Sequence, residues 1–137
     1  MRSAISLIFF SVFILIGSSA WAGKPINNLD GQVPPQLDGE PRGLEEVKTA
    51  VIAACSKRGW MPVIVGPNDI EAEINVRDKH FAKVKIHFTP ETYSIHYLDS
   101  KNLDYDSAGQ TIHRNYNKWV ILLGRSISRG FSVQTQI

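Results

Sequence analysis

Two histidines in the middle of the chain have the spacing of a small metal site. His87 and His96 lie on two consecutive segments in which apolar and polar residues alternate, joined by the turn sequence TPET. Pairing these segments as an antiparallel hairpin sets His87 opposite Ser94 and His96 opposite Lys85. The two imidazoles are then diagonal neighbours, about 7–8 Å apart at the backbone. Imidazole nitrogens are common ligands of Zn²⁺ and Cu²⁺, so this pair is a candidate metal site.

The neighbouring charges favour a simpler interpretation of these histidines. Lys83 and Lys85 share their strand face and repel a cation, and only Glu71 is placed to supply a third ligand. We therefore expect two exposed sheet histidines that pair with acids, and no cofactor. Metal binding through His87 and His96 is kept as the alternative.

A second polar cluster stands near the end of the chain, in the loop DSKNLDY and the stretch IHRNYNKWV. Helical spacing assigns Ile112, Tyr116 and Val120 to a core stripe. Core packing then leaves three polar residues unexplained, His113, Asn115 and Asn117. A structural role is favoured for these three, and we expect the loop Asp99–Asp106 to supply the partner of the Tyr116 hydroxyl. If the domain has a binding site, loops are where function concentrates. The candidate binding residues are Ser100, Asn102, Tyr105, His113, Asn115 and Asn117.

Catalytic signatures are missing from the sequence. There is no G-x-S-x-G elbow, no S-x-x-K motif and no phosphate-binding loop. The paired acids Glu71 and Glu73 lie on one face of an alternating strand, where carboxylates are usually solvated. Cys55 is the single cysteine, and its place beside a helical apolar stripe is typical of a small buried hydrophobe. We expect no enzymatic activity.

The elements that would position these residues follow from periodicity. A 3.6-residue period predicts a helix from Leu44 to Arg58 with Gly59 as its C-cap. Period-2 segments then predict strands in WMPVIV, IEAEINV, FAKVKIHF and YSIHYL. A short loop at Asp78–His80 would set Ile74 opposite Val84, Ala72 opposite Ile86, Glu73 opposite Lys85 and Glu71 opposite His87. The last helix is predicted over IHRNYNKWVILLGRSIS, with Thr111 as its N-cap.

These elements predict an α+β fold. We expect a two-layer sandwich in which an antiparallel meander of three or four strands carries the N-terminal and C-terminal helices on one face. The other face would present Glu71, Glu73, Lys83, Lys85, His87 and His96 to water. That mixed-charge face, or an open sheet edge, would be available to a partner.

The first residues predict export. MRSAISLIFFSVFILIG has one positive charge and an apolar run of about 12 residues, too short to span a bilayer. Ala20 and Ala22 form an A-x-A site, so we expect a signal peptide over residues 1–22, cut between Ala22 and Gly23. The Gly- and Pro-rich residues 23–41 are predicted to be a flexible leader, followed by a single domain over 42–137.

Charge and cysteine content narrow the class of protein. Without Arg2, 14 Lys and Arg face 13 Asp and Glu. This near-balance argues against a nucleic-acid partner. One cysteine makes no internal bridge, so the fold must rely on its core.

The set SKRGW, YSIHYLDSKNLDY and IHRNYNKWV, within residues 44–128, resembles small exported proteins and lipoproteins of Gram-negative bacteria. Many of these have a lipobox cysteine after the signal, where this chain has AWAG. The resemblance implies a periplasmic location and an α+β fold, and it implies no activity. We therefore expect a small periplasmic binding or accessory protein of the cell envelope. Its partner would be another envelope protein, with no membrane span after signal cleavage and an oligomeric state that the sequence leaves open.

Overall fold

The computed structural model describes residues 23–132, which form seven strands and two helices. The predicted signal peptide, residues 1–22, and its cleavage site after Ala22 lie outside the described residues. In chain order the elements are β1 (Lys24–Pro25), β2 (Leu29–Gln32), α1 (Leu44–Lys57), β3 (Met61–Gly66), β4 (Asp69–Val76), β5 (His80–Phe88), β6 (Thr92–Lys101), β7 (Thr111–Ile112) and α2 (Arg114–Ser132).

The predicted α+β architecture is confirmed. Five strands form an antiparallel sheet in the order β2-β6-β5-β4-β3, and β1 pairs with β7 in a separate two-stranded sheet. The meander β3 to β6 arises from period-2 alternation, which buries one side of each central strand. Ile70, Ala72, Val84, Ile86 and Ile95 are fully buried on that side.

Both helices cover the apolar face of the sheet. Val47 and Val51 of α1 and Val120 and Leu123 of α2 join the sheet residues in one core. Between the helices, the Nε of Arg58 donates to the Ser126 hydroxyl at 2.6 Å.

The C-terminus of α1 confirms the role predicted for Gly59. Gly59 has a φ of +80°, a conformation that glycine adopts without the steric cost of a Cβ. The N–H of Trp60 bonds the carbonyl of Cys55 at 2.9 Å, and the N–H of Gly59 bonds that of Ser56 at 3.3 Å. These two bonds form a Schellman motif, which turns the chain directly into β3.

The register predicted for β4 and β5 was wrong by two residues. Ile74 pairs with Ala82, and Glu73 pairs with Lys83. The chain reverses earlier than expected, because Arg77 and Asp78 both take positive φ and make a tight turn. A shift of two residues keeps every side chain on its predicted face, which is why the apolar pattern did not expose the error.

The prediction of a flexible leader over residues 23–41 was also wrong. Residues 24–25 and 29–32 are β1 and β2, and β2 extends the sheet along β6. Val33 is buried, and its N–H bonds the carbonyl of Glu91 at 2.9 Å. The domain therefore begins well before residue 42. These strands were not apparent in the sequence because each is short, one contains Gly31, and the segment is rich in Gly and Pro.

The last helix begins two residues later than predicted. Thr111 and Ile112 are not its N-cap and first turn, since they form β7 opposite Pro25 and Lys24. His113, the residue directly before the helix, caps it instead. Its Nδ1 accepts the N–H of Asn115 at 3.1 Å, which satisfies one of the free donors at a helix N-terminus.

Candidate functional site

Three tyrosines form the centre of the predicted loop site. Tyr105 stacks on Tyr97 with ring centroids 4.4 Å apart, and the rings of Tyr97 and Tyr116 make a T-shaped contact with centroids 5.5 Å apart. The Tyr97 hydroxyl lies 2.8 Å from the Ser100 hydroxyl. Burial raises the pKa of Tyr97 and, more strongly, that of Tyr116. The loop thus contributes one ring, Tyr105, which stacks on Tyr97 of β6, and Tyr97 in turn contacts Tyr116.

No polar partner for Tyr116 was found where we expected it. Tyr116 is fully buried, and within residues 23–132 its hydroxyl has no hydrogen-bond partner. The loop bonds a different residue at the start of α2. The carbonyl of Leu103 accepts the N–H of His113 at 2.7 Å.

Asn102 contacts the turn between β4 and β5 and does not face the tyrosines. Its φ is +58°, its Nδ2 donates to the carbonyl of Lys79 at 2.6 Å, and its own carbonyl lies 2.9 Å from Nδ1 of His80. These bonds hold the end of β6 against the neighbouring turn.

Asn117 joins α2 to the N-terminal segment. Its Oδ1 accepts the N–H of Asn27 at 2.9 Å, and its Nδ2 donates to the carbonyl of Pro25 at 2.9 Å. The side chain of Asn115 is half-buried.

The six predicted binding residues therefore do not form one cluster in the structure. Ser100 and Tyr105 come together around Tyr97, whereas His113 and Asn117 make contacts that build the fold. Their use in binding stays a prediction.

The histidines of the polar face each contact their own acid. The predicted pairs of His87 with Ser94 and of His96 with Lys85 are confirmed. His87 Nδ1 lies 2.9 Å from Asp69, and His96 Nε2 lies 3.7 Å from Asp30. Across residues 23–132, no three His, Cys, Asp or Glu side chains group as metal ligands. Metal binding by this pair stays a prediction without a third ligand.

An apolar edge strand, β3, is the surface that the sequence analysis did not single out. β3 pairs with β4 on one side only, and its sequence MPVIVG contains no charge. Met61 is 71% exposed, Val63 57%, Ile64 52% and Val65 49%. Pro62 inside the strand was the available signal, since proline in a sheet is largely confined to edges.

The backbone of β3 also has unpaired groups. Pro62 faces Ala72 and has no N–H, and in an antiparallel ladder hydrogen-bonded and non-hydrogen-bonded pairs alternate. The pairs of Met61 with Glu73 and Val63 with Glu71 therefore make the bonds to β4. The carbonyl of Pro62 and the N–H and carbonyl of Ile64 then point to the open edge.

A groove of about 510 Å³ lies on the other side of the molecule, between α2 and β2. Tyr93 lines it, and the Tyr93 ring packs over Gly31, where an added Cβ would overlap the ring. The Tyr93 hydroxyl donates to the carbonyl of Gly124 at 3.1 Å and lies 2.9 Å from the Ser128 hydroxyl. Arg125 and Arg129 line the same groove.

Comparisons with known proteins add no assignment to these surfaces. No protein-family model matches the chain, and no curated protein matches it either. Within residues 23–132, no helix is long and apolar enough to cross a membrane.

Proposed function

We propose that this chain is an exported envelope protein that acts by binding, and that its β3 edge accepts an extended segment of another protein. The observation that carries the proposal is the uncharged, apolar and open edge of β3. Natural proteins protect exposed edges with charged side chains, short strands or covering loops, because an open edge pairs with other chains. Prolines and bulges also protect edges, and in β3 such protection is limited to Pro62 and to the register shift between Ile64 and Gly66.

The β3 edge offers both contributions that strand addition uses, which are backbone hydrogen bonds and side-chain contacts. Backbone groups at Pro62 and Ile64 are free to bond an incoming strand, and apolar side chains flank them. Met61 and Val63 lie on the polar face beside Glu73 and Glu71. A partner strand with apolar side chains at matching positions would cover Met61 and Val63, removing apolar area from water at about 25 cal/mol per Å².

Site-specific crosslinking tests this proposal. A photoreactive residue at Met61 is introduced in cells that produce the protein, and adducts are identified by mass spectrometry. Val63→Lys should abolish the adduct, because it leaves an ammonium group in the interface, at a cost of about 1–3 kcal/mol. Val63→Thr keeps the β-branched shape and should retain the adduct. The intact mass should also show a chain that starts at Gly23.

A photoreactive residue at Lys85, an exposed position on the central strand β5, is the matched control. One discrete adduct from Met61 and none from Lys85 supports the proposal. Equal adducts from both positions, or only a self-adduct at Met61, would contradict it. An uncleaved signal would contradict the export part alone.

A further inference from the structure

The outward face of α2 is strongly cationic. The helix sequence RNYNKWVILLGRSISRGFS contains four basic residues and no acid. The rest of the chain has 11 Lys and Arg, which is 15 less these four, against 13 Asp and Glu. A protein with a near-neutral total thus places its cationic excess on one element. The four residues are Arg114, Lys118, Arg125 and Arg129.

Helical geometry puts these four side chains in one stripe. Steps of 4, 7 and 4 residues at 3.6 residues per turn keep them within about 60° around the axis, and they extend over about 22 Å. All four are exposed, while Tyr116, Val120 and Ile127 occupy the opposite, buried side. The stripe therefore points away from the sheet.

The stripe has no acidic counterpart in the described part of the chain. The ion pairs among residues 23–132 involve Arg42, Lys48, Lys83, His87 and His96. Asp30 also lines the groove beside Arg125 and Arg129, but it pairs with Ser94 and contacts His96 on the polar face of the sheet. None of the four cations forms an ion pair among residues 23–132.

We infer that the outward face of α2 binds the anionic phospholipid surface of a bilayer. One small anion cannot contact charges spread over about 22 Å, whereas a layer of phosphate headgroups can. Ile121 is half-exposed midway along the stripe, on its groove side, between Lys118 and Arg125 in sequence. An apolar side chain flanked by cations suits the boundary between headgroups and acyl chains, and it does not suit a polyanion dissolved in water.

The groove extends this face on one side. Its lining combines the apolar side chains of Leu29 and Ile121 with Ser128 and the two arginines of the C-terminal half of the stripe. Guanidinium groups bind phosphate oxygens in bidentate geometry, so Arg125 and Arg129 would hold headgroup phosphates at the groove.

Vesicle binding tests the inference with the mature chain, Gly23–Ile137. Vesicles of phosphatidylcholine alone are compared with vesicles of equimolar phosphatidylcholine and phosphatidylglycerol. We expect binding only to the second kind, weakening as salt is added. Since each basic residue contributes about 1 kcal/mol at an anionic surface, Arg125→Gln with Arg129→Gln should lower the partition coefficient about thirtyfold.

Two further double variants make the result specific. Arg114→Gln with Lys118→Gln, at the other end of the stripe, should give a similar loss. Lys79→Gln with Lys85→Gln removes the same charge from exposed positions of the sheet layer and should change binding little. Circular dichroism and thermal unfolding check that each variant is folded.

Several outcomes would overturn the inference. Equal binding to both kinds of vesicle, or an equal loss in the Lys79 and Lys85 variant, would exclude the stripe as the cause. No effect of the Arg114 and Lys118 variant, or displacement by inorganic phosphate, would indicate a small-anion site in the groove. Tighter binding to duplex DNA or to polyglutamate in the same buffer would assign the face to a dissolved polyanion. None of these results bears on the β3 edge.

Discussion

Two buried tyrosines differ in whether their hydroxyl groups are hydrogen-bonded. Tyr93 is 4% exposed and its hydroxyl has two partners on α2, Gly124 and Ser128. Tyr116 is fully buried with no partner among the described residues. A buried hydroxyl without a partner keeps its desolvation cost, whereas a bonded one recovers it.

Replacing each tyrosine by phenylalanine separates these two cases. Tyr116→Phe removes an unsatisfied polar atom, so the free energy of unfolding should stay constant or rise by up to about 1 kcal/mol. Tyr93→Phe leaves the Gly124 carbonyl without its donor and the Ser128 hydroxyl without its partner, and should lower the free energy of unfolding by about 1 kcal/mol. Urea unfolding measures both. A loss at Tyr116 as large as that at Tyr93 would mean that Tyr116 has a partner.

At the scale of elements, the N-terminal segment is held by contacts distant in sequence. Gly31 in β2 lies under the ring of Tyr93, so the strand can pair closely with β6. Asn117 in α2 bonds both Pro25 and Asn27. A segment with few apolar residues of its own is ordered because other elements supply its partners.

Removing the Asn117 side chain should release this segment. Asn117→Ala leaves the Asn27 N–H and the Pro25 carbonyl without their partner, at a cost of about 1–3 kcal/mol. Hydrogen exchange should accelerate at residues 26–28 more than in the central strands. Asn115→Ala, two residues away on the same helix, is the matched control and should cost less than about 0.5 kcal/mol. Equal exchange at residues 26–28 in the two variants would contradict a role of the Asn117 side chain in holding this segment.

At the scale of the whole molecule, the ionisation of Cys55 is linked to the stability of the fold. The prediction that it is a small buried hydrophobe is confirmed, since it is fully buried in α1. Burial raises the pKa of the Cys55 thiol from 9.0 to about 12. The thiol therefore stays protonated in the folded chain at pH values where the unfolded chain has lost its proton.

This shift gives a signed pH dependence. The stability that Cys55 contributes is fully present below pH 9 and is lost as pH rises from 9 towards 12, by up to about 1.4 kcal/mol per pH unit. The unfolding free energy of Cys55→Ala should fall less steeply between pH 9 and 10.5. Lys83, whose pKa is raised chiefly by its hydrogen bond to Glu73, contributes a decline in the same direction to both proteins, so the difference isolates Cys55.

Thiol labelling provides the second measurement. Reaction of Cys55 with iodoacetamide at pH 8 should follow global unfolding, because the reactive thiolate is available only in the unfolded chain. Labelling faster than global unfolding, or equal pH slopes in the two proteins, would contradict a Cys55 held neutral in the core.

Much of the fold could be predicted because it follows from local periodicity. α1, the four meander strands and the buried sides of β4 and β5 are all determined by which residues are apolar and at what spacing. The hairpin of β5 and β6 came out in the right register since TPET leaves one short connection. The β4–β5 register did not, because a two-residue shift preserves the same apolar faces.

The candidate site could be predicted only in part. Ser100 and Tyr105, two of the candidate residues, both contact Tyr97, and their use in binding stays a prediction. Asn117 bonds backbone atoms of the N-terminal segment, whose strands were not apparent from the sequence. His113 caps the last helix because Thr111 and Ile112 before it form β7, which was not predicted either. Helical spacing alone already placed Tyr116 in the core.

By itself, the sequence determined the class of the fold, the apolar faces, the buried cysteine and the cationic composition of the last helix, because these depend on spacing within single elements. Only the tertiary structure decided that β3 lies at an open edge, that β2 forms the opposite edge, and that the stripe of α2 points away from the sheet. Strand order and helix orientation depend on contacts between distant segments. A period of 2 or 3.6 residues shows which side of an element is buried, and it does not show which element covers it.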